Sequence, residues 1–117
     1  MDNIEQIKAR LDAQGRAMTI LNMSTVVPGE RIVDYRGCAE TLSTRIKRFN
    51  LGLVDLSERT GLPIVDVDAR VARMGADRVK IDALHLTPEG CRVIAEEVLQ
   101  VLIELGHLTK PAASPCA

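Results

Sequence analysis

LSTRIKRFNLGLVDLSERTGLPIVDVD, residues 42–68, decides the fold. Leu42, Ile46, Phe49, Leu53 and Leu56 recur every three or four residues. That spacing puts them on one face of a helix. Arg45, Lys47, Arg48, Asp55 and Glu58 lie largely off the stripe. The stripe is heptad-like but too short for a coiled coil, so it reads as a crossover helix laid on a sheet. Gly61 ends the helix. LPIVDVD (62–68) is then a strand, with Pro63 at its start, where a missing N–H is tolerated. Upstream, AMTILNM (17–23) is an apolar run without helical period, hence a second buried strand. A strand, a helix and a strand make a right-handed βαβ unit with a parallel pair.

The flanks extend this unit. Ile4, Ile7 and Leu11 predict a first helix over about 3–14, with Asp2 or Asn3 as N-cap and Gly15 as terminator. STVVPGERIVDYRG (24–37) holds Pro28, Gly29 and Gly37 and reads as a long loop. Gly52 costs the long helix about 1 kcal/mol relative to Ala, which a close packing contact would explain. ARVARMGADRVKIDALH (69–85) is irregular or holds a short helix. Thr87 then caps a last helix, with Pro88 at N1 and Glu89 on the positive end of its dipole. Its expected buried face is Ile94, Val98, Val101, Leu102 and Leu105, and Gly106 ends it. The order is α-β-α-β-α. The expected fold class is α/β, one truncated domain over 1–108 with a flexible tail over 109–117.

Composition narrows the function classes. Of 117 residues, 46% are hydrophobic and 26% charged, as in a globular domain rather than a disordered chain. A net charge of −1 provides no field to attract nucleic acid or an anionic membrane. Tyr35 and Phe49 are the only aromatic rings, too few to stack single-stranded bases. No apolar run reaches the roughly 18 residues of a membrane span. The charged, periodic N-terminus is not a signal peptide. Cys38, Cys91 and Cys116 are odd in number and scattered, so they read as reduced thiols of a cytoplasmic protein.

IDALHLTPEG (81–90) is where chemistry is expected. Asp82 precedes His85 by three residues, just before a helix N-terminus. An Asp at that spacing can reach the imidazole, set its tautomer and stabilise the imidazolium. The other ring nitrogen is then free to act as a base. The segment follows the second strand, on the side where open α/β sheets place ligands. An exposed surface pair would show the same spacing.

D-x-x-H followed by L-T-P-E-G and an amphipathic helix resembles the last block of the SGNH, or GDSL-type, hydrolases. ILNMSTVVP (20–28) is similar to that family's fourth strand and loop. ETLSTRIKRFNLGLVDLSERTGLPIVDVD (40–68), with its internal Asn50, is similar to the helix leading into the fifth strand. The similarity spans about residues 4 to 105 and covers only the C-terminal half of the family's pattern. It implies a partial three-layer α/β/α, flavodoxin-like sandwich with about two parallel strands and three main helices. It implies hydrolysis of esters, thioesters or acyl groups without metal or other cofactor, Asp82 as orienting acid and His85 as general base.

The family's Gly-Asp-Ser nucleophile block is absent, and no G-x-S-x-G elbow replaces it. Ser24, just after a strand, is the local serine placed to substitute; its plain alternative is a loop serine bonding its own backbone. Cys38 and Cys91 are alternative nucleophiles; Cys91 follows the N-terminus of the last helix, and a packed small residue is its plain alternative. Asp66, Asp68, Asp77, Asp82 and His85 match no metal-loop spacing, so no metal is expected. Two functions follow. The chain is the Asp82–His85 half of an acyl esterase, inactive until a nucleophile completes it. Alternatively it is a non-catalytic relic or interaction module. In both, the strand at 17–23 should lack a neighbour on one edge. That edge predicts a homodimer or a complementing chain.

Overall fold

The computed structural model describes residues 1–25, 41–81 and 85–110, with backbone alone at 76 and 77. The elements are α1 (Asp2–Ala13), β1 (Ile20–Leu21), α2 (Leu42–Thr60), β2 (Ile64–Val65), α3 (Val67–Met74), α4 (Ala76–Val79) and α5 (Pro88–Glu104). β1 and β2 pair in parallel, Ile20 beside Ile64 and Leu21 beside Val65. The Ile20 N–H donates to the Pro63 carbonyl and the Asn22 N–H to that of Val65, each at 3.1 Å. The α/β class with two parallel strands is therefore as expected, but both strands are shorter than 17–23 and 62–68. The second ends because Asp66 caps α3: its carboxylate accepts the Ala69 N–H at 3.0 Å. Val67 and Asp68, expected in the strand, are helical.

The crossover helix α2 follows its sequence pattern. Thr41 caps it, accepting the Thr44 N–H at 3.2 Å. Ile46, Leu53 and Leu56 are buried, Leu42 and Phe49 half-buried, and Arg45, Lys47 and Arg48 exposed. Gly61 sits at φ +73, the left-handed geometry that glycine adopts without steric cost. Ser57 Oγ then donates to the Leu62 carbonyl at 2.6 Å and ties the turn to the helix.

α1 departs from expectation in its packing. It starts at Asp2, with Met1 as N-cap, and none of its residues is buried; Ile7 is 50% exposed. Its spacing is amphipathic, but the apolar face is only partly covered: Ile4 and Leu11 are half-buried. Arg59 reaches Glu5 at 3.2 Å, and the Met1 side chain lies against Gly52, which gives that glycine its close contact.

Residues 67–79 form two short helices, where the sequence left irregular chain or one short helix open. Val65, Val67, Val71 and Val79 make one core cluster, with Met74, Ile94, Val98 and Val101 packed against it. Val65 therefore ties β2 to α3, α4 and α5. The buried residues of α5 are Gly90 and Val93, not the expected stripe. Ile94, Val98, Val101 and Leu102 are half-buried and Leu105 is exposed. The helix packs on the core from Gly90 to Val101, most deeply near its start.

That first turn is held as its sequence predicts. Thr87 Oγ1 accepts the Gly90 N–H at 3.0 Å and donates to the Arg78 carbonyl at 2.8 Å. Thr87→Ala should cost about 1 kcal/mol, the usual value of such a cap. Urea unfolding followed by circular dichroism would measure it, and an unchanged midpoint would contradict the capping role. Among the described residues no helix is long and apolar enough to cross a membrane.

Candidate functional site

The C-terminal ends of the two strands are laced together by side chains. Asn22 donates through Nδ2 to Asp66 Oδ1 at 2.9 Å and accepts the Asp68 N–H through Oδ1 at 3.0 Å. Asp68 in turn accepts from both the backbone N–H and the hydroxyl of Thr25, each at 2.7 Å. From α2, Asn50 takes both backbone groups of Met23: Nδ2 donates to its carbonyl at 2.6 Å and Oδ1 accepts its N–H at 3.1 Å. Ser43 Oγ donates to the Thr25 carbonyl at 2.7 Å. The chain leaving β1 is thus held from α2 on one side and the start of α3 on the other. These bonds satisfy backbone groups that the short strand leaves without ladder partners.

Two cavities flank this seam. One, of about 380 Å³, lies against Lys47, Asn50, Leu51 and Val54 of α2 and against Asp66 and Asp68. The other, of about 250 Å³, is mostly apolar, with Leu21, Met23, Val67, Val71, Leu86 and Ile94 in its wall. Ser24 and Lys80 also line it, and both are buried.

The segment before α5 closes on itself. Lys80 and Leu86 form an antiparallel bridge, and the Ile81 N–H donates to the His85 carbonyl at 2.9 Å. The Thr87 N–H donates to the Val79 carbonyl at 3.0 Å. His85, whose carbonyl accepts the Ile81 N–H, is exposed. Asp82 lies outside the described residues, so the Asp82–His85 pairing is not described. The apolar cavity brings Leu86, the neighbour of His85, to the same wall as Ser24, but His85 is not part of that wall. Ser24 is buried at the wall of that cavity.

Asp66 and Asp68, expected within the 62–68 strand, instead serve as a helix cap and as the acceptor for Thr25. The Asp77 side chain lies outside the described residues. No cluster of three or more His, Cys, Asp or Glu suited to a metal ion occurs among the described residues. Cys91 is an exposed free thiol, not a packed small residue. Cys38 and Cys116 lie outside the described residues, as do most of the 24–37 loop and of the tail.

Sequence reasoning passed over Asn22 and Lys80 and gave Asn50 no role. Polar residues ending two apolar runs, Asn22 and Asp66, were the available signal for the seam, because ligands and polar contacts gather at the carboxyl ends of parallel strands. Lys80 had no such signal; only tertiary packing buries it. Comparison with protein-family models, with curated proteins and with solved structures finds no match for this chain.

Proposed function

We propose that this chain carries the acid–base half of a serine ester-hydrolase site of the SGNH type, in a partial three-layer sandwich. His85 is the general base and Asp82 its orienting acid. The observation that carries the proposal is the placement of His85. It is exposed, on a hydrogen-bonded closure one residue from the cavity beside the end of β1. A base must be accessible to substrate and held in orientation, and this closure favours both. The reaction is acyl transfer from an ester to a serine and then to water, with His85 taking and returning the proton. Ser24 is the local nucleophile candidate; otherwise a second copy or a complementing chain supplies the serine along the β1 edge.

Two measurements test the proposal. The first is hydrolysis of a nitrophenyl butyrate ester by the chain, beside His85→Ala and Ser24→Ala. A rate that vanishes in His85→Ala is expected of a working site, and Ser24→Ala decides the source of the nucleophile. The second is the ring ¹⁵N spectrum of His85, which reads the half-site without any nucleophile. One imidazole tautomer should dominate, and Asp82→Asn should return the mixture seen for free histidine. Equal hydrolysis rates together with an unbiased tautomer would sink the proposal.

The alternative, an interaction module, is favoured by a different observation. Residues 17–25 carry no charged residue after Arg16 and no proline, the devices that protect an open edge. Leu21 and Met23 are each 43% exposed, and β1 has no second strand beside it among the described residues. Light scattering separates the cases: a dimer fits this alternative, and a monodisperse monomer contradicts self-pairing.

A further inference from the structure

We infer that the apolar cavity beside the end of β1 binds a short-chain aliphatic monocarboxylate, its alkyl chain against Leu21, Val71, Leu86 and Ile94 and its carboxylate drawn by Lys80. The size is suitable. A dry protein cavity of about 150 Å³ holds benzene, and this one offers about 250 Å³. A chain of roughly six carbons fits within such a space.

The lining chooses the ligand class. Most of the wall is aliphatic, which rewards an alkyl chain by removing it from water. Among the described residues Lys80 is the one charged residue of the wall, and it is 7% exposed. Among the described residues Lys80 and Ser24 are the two buried polar side chains, and both line this cavity. An ammonium has three N–H donors, so Lys80 can keep its contact within the chain and still donate to an incoming oxygen. Ammonium-to-carboxylate hydrogen bonds are among the strong ones. A neutral alcohol gains the alkyl contact without the charge, and an alkylammonium is repelled. The inference rests on this cavity and not on the hydrolytic proposal.

The test is titration of the full ¹⁵N-labelled chain with hexanoate, hexanol and hexylammonium, read by amide chemical shifts. Hexanoate should shift Leu21, Ser24, Val71, Leu86 and Ile94 together and to saturation. Hexanol should bind roughly tenfold more weakly, the worth of one charge-assisted bond, and hexylammonium should leave the spectrum unchanged. Lys80→Met should erase the preference for hexanoate and Lys80→Arg should retain it. Equal binding of hexanoate and hexanol by the wild-type chain overturns the inference, as do shifts scattered away from this wall or no shifts at all. Hexanoate binding without ester hydrolysis upholds it while counting against the hydrolytic proposal; hydrolysis without hexanoate binding does the reverse.

Discussion

Replacing Gly90 by alanine should destabilise the protein by about 2–3 kcal/mol, at the upper end of overpacking costs. A Cβ at position 90 would lie 2.1 Å from the Val79 carbonyl oxygen and 3.0 Å from its carbon. Both atoms belong to backbone, so no side-chain rotation relieves the clash. The carbonyl cannot swing away freely either, because it accepts the Thr87 N–H at 3.0 Å. The substitution must therefore push the first turn of α5 off the end of α4. Val93, the other buried residue of that helix, moves with it. Against this stands a gain of up to about 1 kcal/mol from replacing glycine by alanine in a helix. The steric term is larger, so the sign is destabilising. A small domain has only about 5–15 kcal/mol in total. Urea denaturation measures the change, and Gly52→Ala is the control. There the new Cβ meets the Met1 methyl at 2.7 Å, the far end of a flexible side chain. Gly52→Ala should be neutral or mildly stabilising. Equal losses at both positions would show that the Val79 contact has no special weight.

Asp68→Ala should cost about 2–3 kcal/mol and free the chain after β1. One carboxylate oxygen accepts both the N–H and the hydroxyl of Thr25, each at 2.7 Å. Bonds to a charged acceptor contribute more than neutral ones, about 1.5–3 kcal/mol each before partial compensation by water. Thr25 is half-buried, so water replaces the lost acceptor only in part. Asn22 and Thr25 wall the larger cavity, and Asn22 and Ser24 the apolar one. Loosening Thr25 should therefore blur both. Amide hydrogen exchange at Thr25 should speed up in Asp68→Ala while exchange in the middle of α2 is unchanged. Asp68→Asn keeps an acceptor oxygen without the charge and should lose less. Unchanged exchange at Thr25 in Asp68→Ala would contradict the tie.

Several elements were legible from residues 42–68 and 87–106 without coordinates. The α2 stripe, its Gly61 terminator, the Thr87 cap and the parallel pair all follow from local rules: apolar period, φ tolerance of glycine and capping by a hydroxyl. These depend on neighbours within a turn or two, so sequence contains them. Strand ends were not legible. LPIVDVD alternates like a strand to its last residue, yet Asp66 starts a helix because its carboxylate finds the Ala69 N–H. Alternation and capping compete there, and sequence does not rank them.

The amphipathic stripes of α1 and α5 were read correctly as periodic, but period does not say what covers a face. α1 has no fully buried residue, and α5 fully buries only Gly90 and Val93 of its described residues. His85 and Ser24 were picked out from sequence as chemistry-bearing residues. That Ser24 shares a cavity wall with Lys80 was not, since 56 positions separate them and no local pattern links the two. The sequence alone determined the α/β class, the parallel pair, the Thr87 cap and the Gly61 terminator. Tertiary structure decided strand length, which helix faces are covered, and the meeting of Asn22, Asn50 and Asp68. Those depend on contacts between segments far apart in the chain, where geometry rather than local preference selects the partner.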